Sequence, residues 1–241
     1  MAGPPGSFDV EAAVGALAER HHLAGVAVAQ LRELHRMLVA DPLAPTAVRD
    51  PRKVLDDHLA DSLVALELDV VGSAQRVADL GSGAGVPGLP LAIALPTADV
   101  ALVEAAARKC AFLERAVARC RVANARVVHA RAETWPEGIA SVDLVTARAL
   151  APLEVVVEYA APLLVIGGTL VVWRGRRDPE AEKVAVRAAA EVGMRPTEIV
   201  FVRPFADAES RHLHLMSKVT ETPSGFPRRP GMARKRPLGT S

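Results

Sequence analysis

Two carboxylates and three glycines stand in a spacing that suits ligand binding. The stretch RVADLGSGAGVPGLPLAIALP, residues 76–96, ends an apolar run on Asp79-Leu80 and then sets Gly81, Gly83 and Gly85 at alternate positions. Without a Cβ, such a turn adopts φ > 0 and lets a ligand lie close to the backbone. Glu104 ends the next apolar run, 21 residues after Gly83. An acid there accepts from both hydroxyls of a ribose, and an acid at the Asp79 position faces an amine, directly or through water. No Gly-Lys-Ser/Thr follows the glycines, which excludes a P-loop. The dinucleotide fingerprint fits only as Gly83, Gly85, Gly88 with Glu104 as the ribose acid, so an NAD(P)-dependent oxidoreductase stays a rival. In that register the fingerprint begins three residues beyond Leu80 and contains Pro87.

Other chemistry-bearing residues are weaker. His58, Asp61 and Ser62 resemble a triad, but no G-x-S-x-G elbow accompanies them and positions i, i+3 and i+4 share one helix face. Helix packing or pocket lining is the expectation. Cys110 and Cys120 lie ten apart without a CxxC, which argues against a disulfide framework or zinc site and fits a reducing compartment. Trp135 reads as a packing residue.

These residues need elements to hold them. Helical spacing marks 9–23, 26–39 and 51–68, the last with a stripe of Leu55, Leu59, Leu63 and Leu66 and Pro51 in its first turn. From residue 76 short apolar runs (76–80, 99–103, 126–129, 142–146, 168–173) alternate with helical segments (88–95, 105–122, 152–161, 178–192). Such alternation predicts a parallel sheet covered on both faces. Runs 197–203 and 211–219 follow without a helix between them and read as an antiparallel pair at the sheet edge. The chain divides on this reading into a helical extension (1–70), a central α/β domain (71–219) and a basic arm (220–241).

With 241 residues, half of them hydrophobic but only 3% aromatic, the core must be built from Ala, Val and Leu. The net charge of +1 hides an asymmetry. Arg228, Arg229, Arg234, Lys235 and Arg236 face one acid in residues 221–241, a net of +4, while the rest carries −3. A basic tail on an acidic body suits nucleic acid. Its prolines and glycines read as an extended arm, though their pattern also suits packing on the body. No leader is visible in MAGPPGSFDV, and the apolar uncharged stretch at residues 159–173 is shorter than the ~20 residues of a membrane span. A soluble cytoplasmic protein is expected, with no metal.

The form Asp79-Leu80-Gly81-Ser82-Gly83-Ala84-Gly85 resembles the first motif of S-adenosylmethionine-dependent methyltransferases. Four stretches narrow this: HLADSL (58–63), DLGSGAGVPGLPLAIALP (79–96), RAETW with VDLVTARALAPL (131–135, 142–153), and RHLHLMSKVTETPSGFPRRPGMARKRPL (211–238). Together they resemble the RsmG (GidB) methyltransferases over about residues 50–240. The resemblance implies a Rossmann-like class I S-adenosylmethionine-dependent α/β fold, a mostly parallel seven-stranded sheet with an N-terminal helical extension. It implies methyl transfer from S-adenosylmethionine to N7 of a guanine, position 527 in the 530 loop of 16S ribosomal RNA. The partner is then 16S ribosomal RNA or the small ribosomal subunit, met by a monomer. By resemblance Gly81, Val86, Ala132, Glu133 and Arg148 meet the cofactor, and Arg148 stands beside the target as the catalytic residue. Asp79, Gly83, Gly85 and Glu104 join them from the reading of the loop. The five arm cations would contact RNA phosphates. A methyltransferase of small molecules and a ribosome-associated protein without activity are the remaining rivals.

Overall fold

The structure is a computed structural model and describes residues 8–240. Seven strands form one sheet in the order β3-β2-β1-β4-β5-β7-β6. They are β1 (Arg76–Leu80), β2 (Asp99–Glu104), β3 (Ala125–His129), β4 (Val142–Arg148), β5 (Leu164–Arg174), β6 (Met194–Phe201) and β7 (His212–Lys218). The first five are mutually parallel; β7 runs antiparallel to both β5 and β6. The expected parallel sheet with an antiparallel pair at its edge is therefore present. The order reverses between β1 and β4, which places the crevice at the carboxyl ends of these strands.

Both faces of the sheet are buried, so its strands read as nearly continuous apolar runs rather than alternating ones. The pleat still sorts them. Val77, Leu102, Leu144 and Val171 join one core, with the helices Val10–Arg20, Gly25–Ala40, Gly88–Ala94 and Ala107–Cys120. Ala78, Ala101, Val145 and Leu170 join the other, with the helices Leu153–Ala160 and Pro179–Glu191. Residues of the helical extension, such as Val14, Leu31 and Leu59, share the first core with Val77 and Leu102.

Two expectations need correction. Residues 51–67 are not one regular helix. The segment is α-helical over Pro51–Val54, a π-turn over Leu55–Ala60, α-helical again over Asp61–Leu63 and 3-10 over Val64–Glu67. An i, i+4 leucine stripe is compatible with this tightening and loosening, so the pattern hid it. Nor is the arm extended. It folds back, with a short helix at Met232–Lys235, and Phe226, Ala233 and Leu238 pack on the second core. Arg228 donates through two nitrogens to Glu158, whose side chain is only 3% exposed. Gly239 N–H donates to Glu191 Oε1 at 2.9 Å, and Arg187 Nε to Gly239 O at 2.7 Å. The reading of the first ten residues as lacking a leader falls mostly outside the described residues, as does Ser241 of the arm.

Candidate active site

The loop after β1 is shaped by its glycines. Gly81, Gly83 and Gly85 all have φ between +55° and +86°. At Gly81 the constraint is also steric: a Cβ would stand 2.6 Å from Leu150 Cδ1. Gly88 serves a different purpose, since a Cβ there would stand 2.7 Å from Asp79 Oδ2. This close approach lets Gly88 N–H donate to Asp79 Oδ2 at 3.2 Å, while Thr146 Oγ1 donates to Oδ1 at 2.9 Å. Asp79 is wholly buried, and burial pushes its carboxyl up to about 6 against the donated hydrogen bonds. Asp79 is expected to face a ligand amine directly or through water; in the fold both its oxygens turn inward and pin the loop to β4 and to the next helix. Its carboxylate also sits on the first N–H of the Gly88–Ala94 helix, where a dinucleotide's pyrophosphate would have to lie. That weighs against the oxidoreductase reading.

Glu104 ends β2 and is nearly buried. Its Oε2 accepts from Gly83 N–H at 3.1 Å and its Oε1 from Ala106 N–H at 2.9 Å, which fixes the carboxylate beside the glycine turn. Each oxygen keeps a lone pair for a further donor. A cavity of about 460 Å³ opens here, lined by Gly81, Glu104, Ala132, Glu133, Leu150 and Tyr159, among others. Ala149, on the same wall, holds φ +52° without being glycine, and such outliers collect at ligand sites. A hollow of about 560 Å³ lies elsewhere, around Leu23, Leu95, Pro96 and Arg121. It stands away from the strand carboxyl ends and holds no carboxylate to receive a diol, so the smaller cavity is the candidate site.

The predicted residues therefore divide. Gly81, Glu104, Ala132 and Glu133 come together around the cavity. Gly83, Gly85 and Val86 support it from the loop without lining it. Arg148 follows a second path. It ends β4, but its guanidinium turns to the 51–67 segment, donating to Asp61 Oδ2 at 2.8 Å and to Asp57 O at 2.5 Å, with Nη2 3.2 Å from His58 Nδ1. In this arrangement its guanidinium does not line the cavity. His58 and Asp61, expected to pack or to line a pocket, are its partners. Burial, and then the Arg148 charge, lowers the His58 pKa, so the ring is neutral at pH 7 and bonds Thr46 Oγ1 through Nε2. The Trp173 indole N–H donates to Asp61 O at 2.6 Å.

Arg211 completes this network and sequence reasoning missed it. It lies 3.2 Å from Asp57 Oδ1 and 3.2 Å from Asp61 Oδ1. The signal was topological: an antiparallel β7 begins at the edge where the parallel strands end. Trp135 is buried, stacked by Gly138 and by Arg126 at 5.5 Å, as a packing residue should be.

Of the five arm cations, two already have partners within the chain. Arg228 is held by Glu158 and by Arg236 O, and Arg234 donates to Leu150 O at 2.8 Å and lines the cavity. Arg229, Lys235 and Arg236 are exposed, with no side-chain ion pair among the described residues.

Comparison with known proteins gives one family. The profile described as GidB, rRNA small subunit methyltransferase G, matches residues 30–213. A Ribosomal RNA small subunit methyltransferase G from Chloroflexus aggregans is 42% identical over 198 residues, covering 80% of this chain and 82% of that protein. One from a Synechococcus strain is 35% identical over 223 residues, covering 87% and 85%. Among solved structures, a SAM dependent methyltransferase from Aquifex aeolicus superposes with a TM-score of 0.54 at 17% identity, covering 69% of this chain and 93% of that one. Aeropyrum pernix fibrillarin, in complex with natively bound S-adenosyl-L-methionine, gives 0.52 at 21%, covering 65% and 72%. The structural likenesses establish the fold.

Proposed function

This chain belongs to the GidB family, rRNA small subunit methyltransferase G, and from that premise we propose how its residues divide the work of methylating 16S ribosomal RNA. The enzyme is S-adenosylmethionine-dependent, and its acceptor is N7 of a guanine, position 527 in the 530 loop. The observation that carries the reading is the cavity at the strand ends, where Gly81, Glu104, Ala132 and Glu133 converge.

S-adenosylmethionine fits those residues. The loop at Gly81 offers bare backbone to the methionine part. Glu104 is preset by two backbone N–H groups to receive the ribose diol. Ala132 and Glu133 meet the adenine side. Asp79, Gly83, Gly85 and Val86 hold the loop in shape. When bound, the cofactor supplies an electrophilic methyl group on a sulfonium.

Guanine N7 carries a free lone pair and no proton, so the acceptor needs no general base. The chain must hold N7 in line with the methyl carbon, at roughly 3–3.5 Å. Arg148 acts here as a positioning residue: fixed by Asp57, His58 and Asp61, it ties β4 to the helical extension beside the cavity wall at Ala149 and Leu150. Arg229, Lys235 and Arg236 are the arm cations free to meet RNA phosphates. We place the reaction in the cytoplasm, with a monomer acting on 16S ribosomal RNA or the small subunit; in support, no helix among the described residues is long and apolar enough to cross a membrane.

The test uses methyl-labelled S-adenosylmethionine and small subunits lacking this modification. Labelled 7-methylguanosine in the 530 loop is expected. Binding of the cofactor with no label there would move the substrate elsewhere.

A further inference from the structure

The arm's Arg234 is read from sequence as one of five phosphate contacts, yet it stands at the cavity. It lines the same hollow as Gly81, Glu104 and Glu133. Its Nη2 donates to the carbonyl of Leu150 at 2.8 Å. Leu150 is the side chain whose Cδ1 leaves no room for a Cβ at Gly81. Tyr159 borders the same cavity. Three residues before Arg234, Gly231 N–H donates to Glu133 Oε1 at 3.1 Å, so the arm touches the cavity's acid as well. A guanidinium is planar, and this one is anchored by a carbonyl at the cavity. Arginine offers such a plate to heterocycles, which stack on it, whereas lysine offers only a point charge.

We propose that Arg234 is a cofactor-binding residue, whose guanidinium plane forms the wall against which the adenine ring of S-adenosylmethionine packs. This rests on the cofactor reading given above. The assignment to the adenine end follows the strand order: with the methionine part at Gly81 after β1 and the ribose at Glu104 after β2, the base falls at Ala132 and Glu133 beyond β3, where the arm is bonded. The arm is thereby part of the cofactor site, not only an RNA-binding appendage, and one segment touches both reaction partners.

The experiment is calorimetric titration of S-adenosylhomocysteine and of adenosine, without RNA, into the full chain and into Arg234→Ala, Arg234→Lys and, as a control at the start of the edge strand β6, Arg195→Ala. Arg234→Ala should weaken both ligands by a similar factor, roughly tenfold, the scale of a guanidinium stacked on an aromatic face. Arg234→Lys keeps the charge and loses the plane, so it should be weakened too. Arg195→Ala should bind as the parent does. A common thermal midpoint for the parent and the variants shows that folding is kept, as expected for an exposed side chain. Unchanged affinity in Arg234→Ala would overturn the proposal. So would a loss confined to S-adenosylhomocysteine, which would put Arg234 at the amino-acid end. If the parent chain bound neither ligand, the cofactor reading itself would fall, and the inference with it.

Discussion

Arg228→Ala tests whether the arm is a structural strap. Glu158 is 3% exposed in its side chain and Arg228 22%, and the guanidinium meets both carboxylate oxygens. Removing one partner of a buried pair costs about 3–5 kcal/mol, because the remaining charge is stranded. Here water reaches the arginine side, which reduces the expected loss to about 2–3 kcal/mol. For a chain of this size that lowers the melting temperature by about 5–10 °C. The assay is thermal unfolding at low and high salt, and the loss should persist at high salt because a shielded pair is poorly screened. An apolar replacement of both partners, Arg228→Met with Glu158→Leu, should recover most of the stability. A fall of less than about 1 °C in Arg228→Ala would refute the reasoning. So would a double variant no more stable than the single one. RNA affinity should keep its salt dependence in Arg228→Ala, since this cation is already paired.

Replacing Arg229, Lys235 and Arg236 together by alanine should flatten the salt dependence of RNA binding by about 2 units of slope, at 0.7 per neutralised phosphate; an unchanged slope would remove the arm from the RNA surface. Asp79 titrates near 6 when folded and 3.8 when unfolded, so between those values the unfolded state sheds its proton first. That costs up to about 3 kcal/mol of stability as pH rises from 4 to 6, with no further change above. The melting temperature of Asp79→Asn relative to the parent should therefore climb across that window and then level; a pH-independent difference would count against it. Arg148→Ala should lower turnover about a hundredfold through misplacement of the site while leaving cofactor affinity nearly intact; unchanged turnover would release Arg148 from any role in the reaction. Gly81→Ala combines a φ of +69° with a clash at Leu150, and should lower stability by about 1–3 kcal/mol and weaken cofactor binding in a calorimetric titration.

The glycine turn and Glu104 were legible because a parallel sheet obliges strand ends, turns and ligands to coincide. The alternation of apolar runs and helices was enough to give the sheet and its antiparallel edge. The network around Arg148 was half visible: His58 and Asp61 stood out, but nothing in their spacing names a partner 87 residues away. Arg211 was hidden for the same reason. Asp79 was misdirected because its motif says where an acid stands and not where its oxygens turn; Gly88, nine residues on, settles that by leaving room for the carboxylate. The arm was half legible: its Pro-Gly pattern already suited packing on the body, but Glu158, the acid that claims one of its five cations, looks like any helix residue until it is found buried.

The chain has two tryptophans, and the fold sets them in different surroundings behind the site. Trp135 lies buried directly after the Ala132–Thr134 turn that borders the cavity. Trp173 is hydrogen-bonded to the backbone of Asp61, inside the Arg148 network. Intrinsic fluorescence is therefore already partitioned. Trp173→Phe leaves an emission that follows the cofactor side alone, and Trp135→Phe one that follows the side where Arg148 is anchored. Changes beside the cavity and changes at the Arg148 network can then be timed separately, one in each variant, with no dye attached.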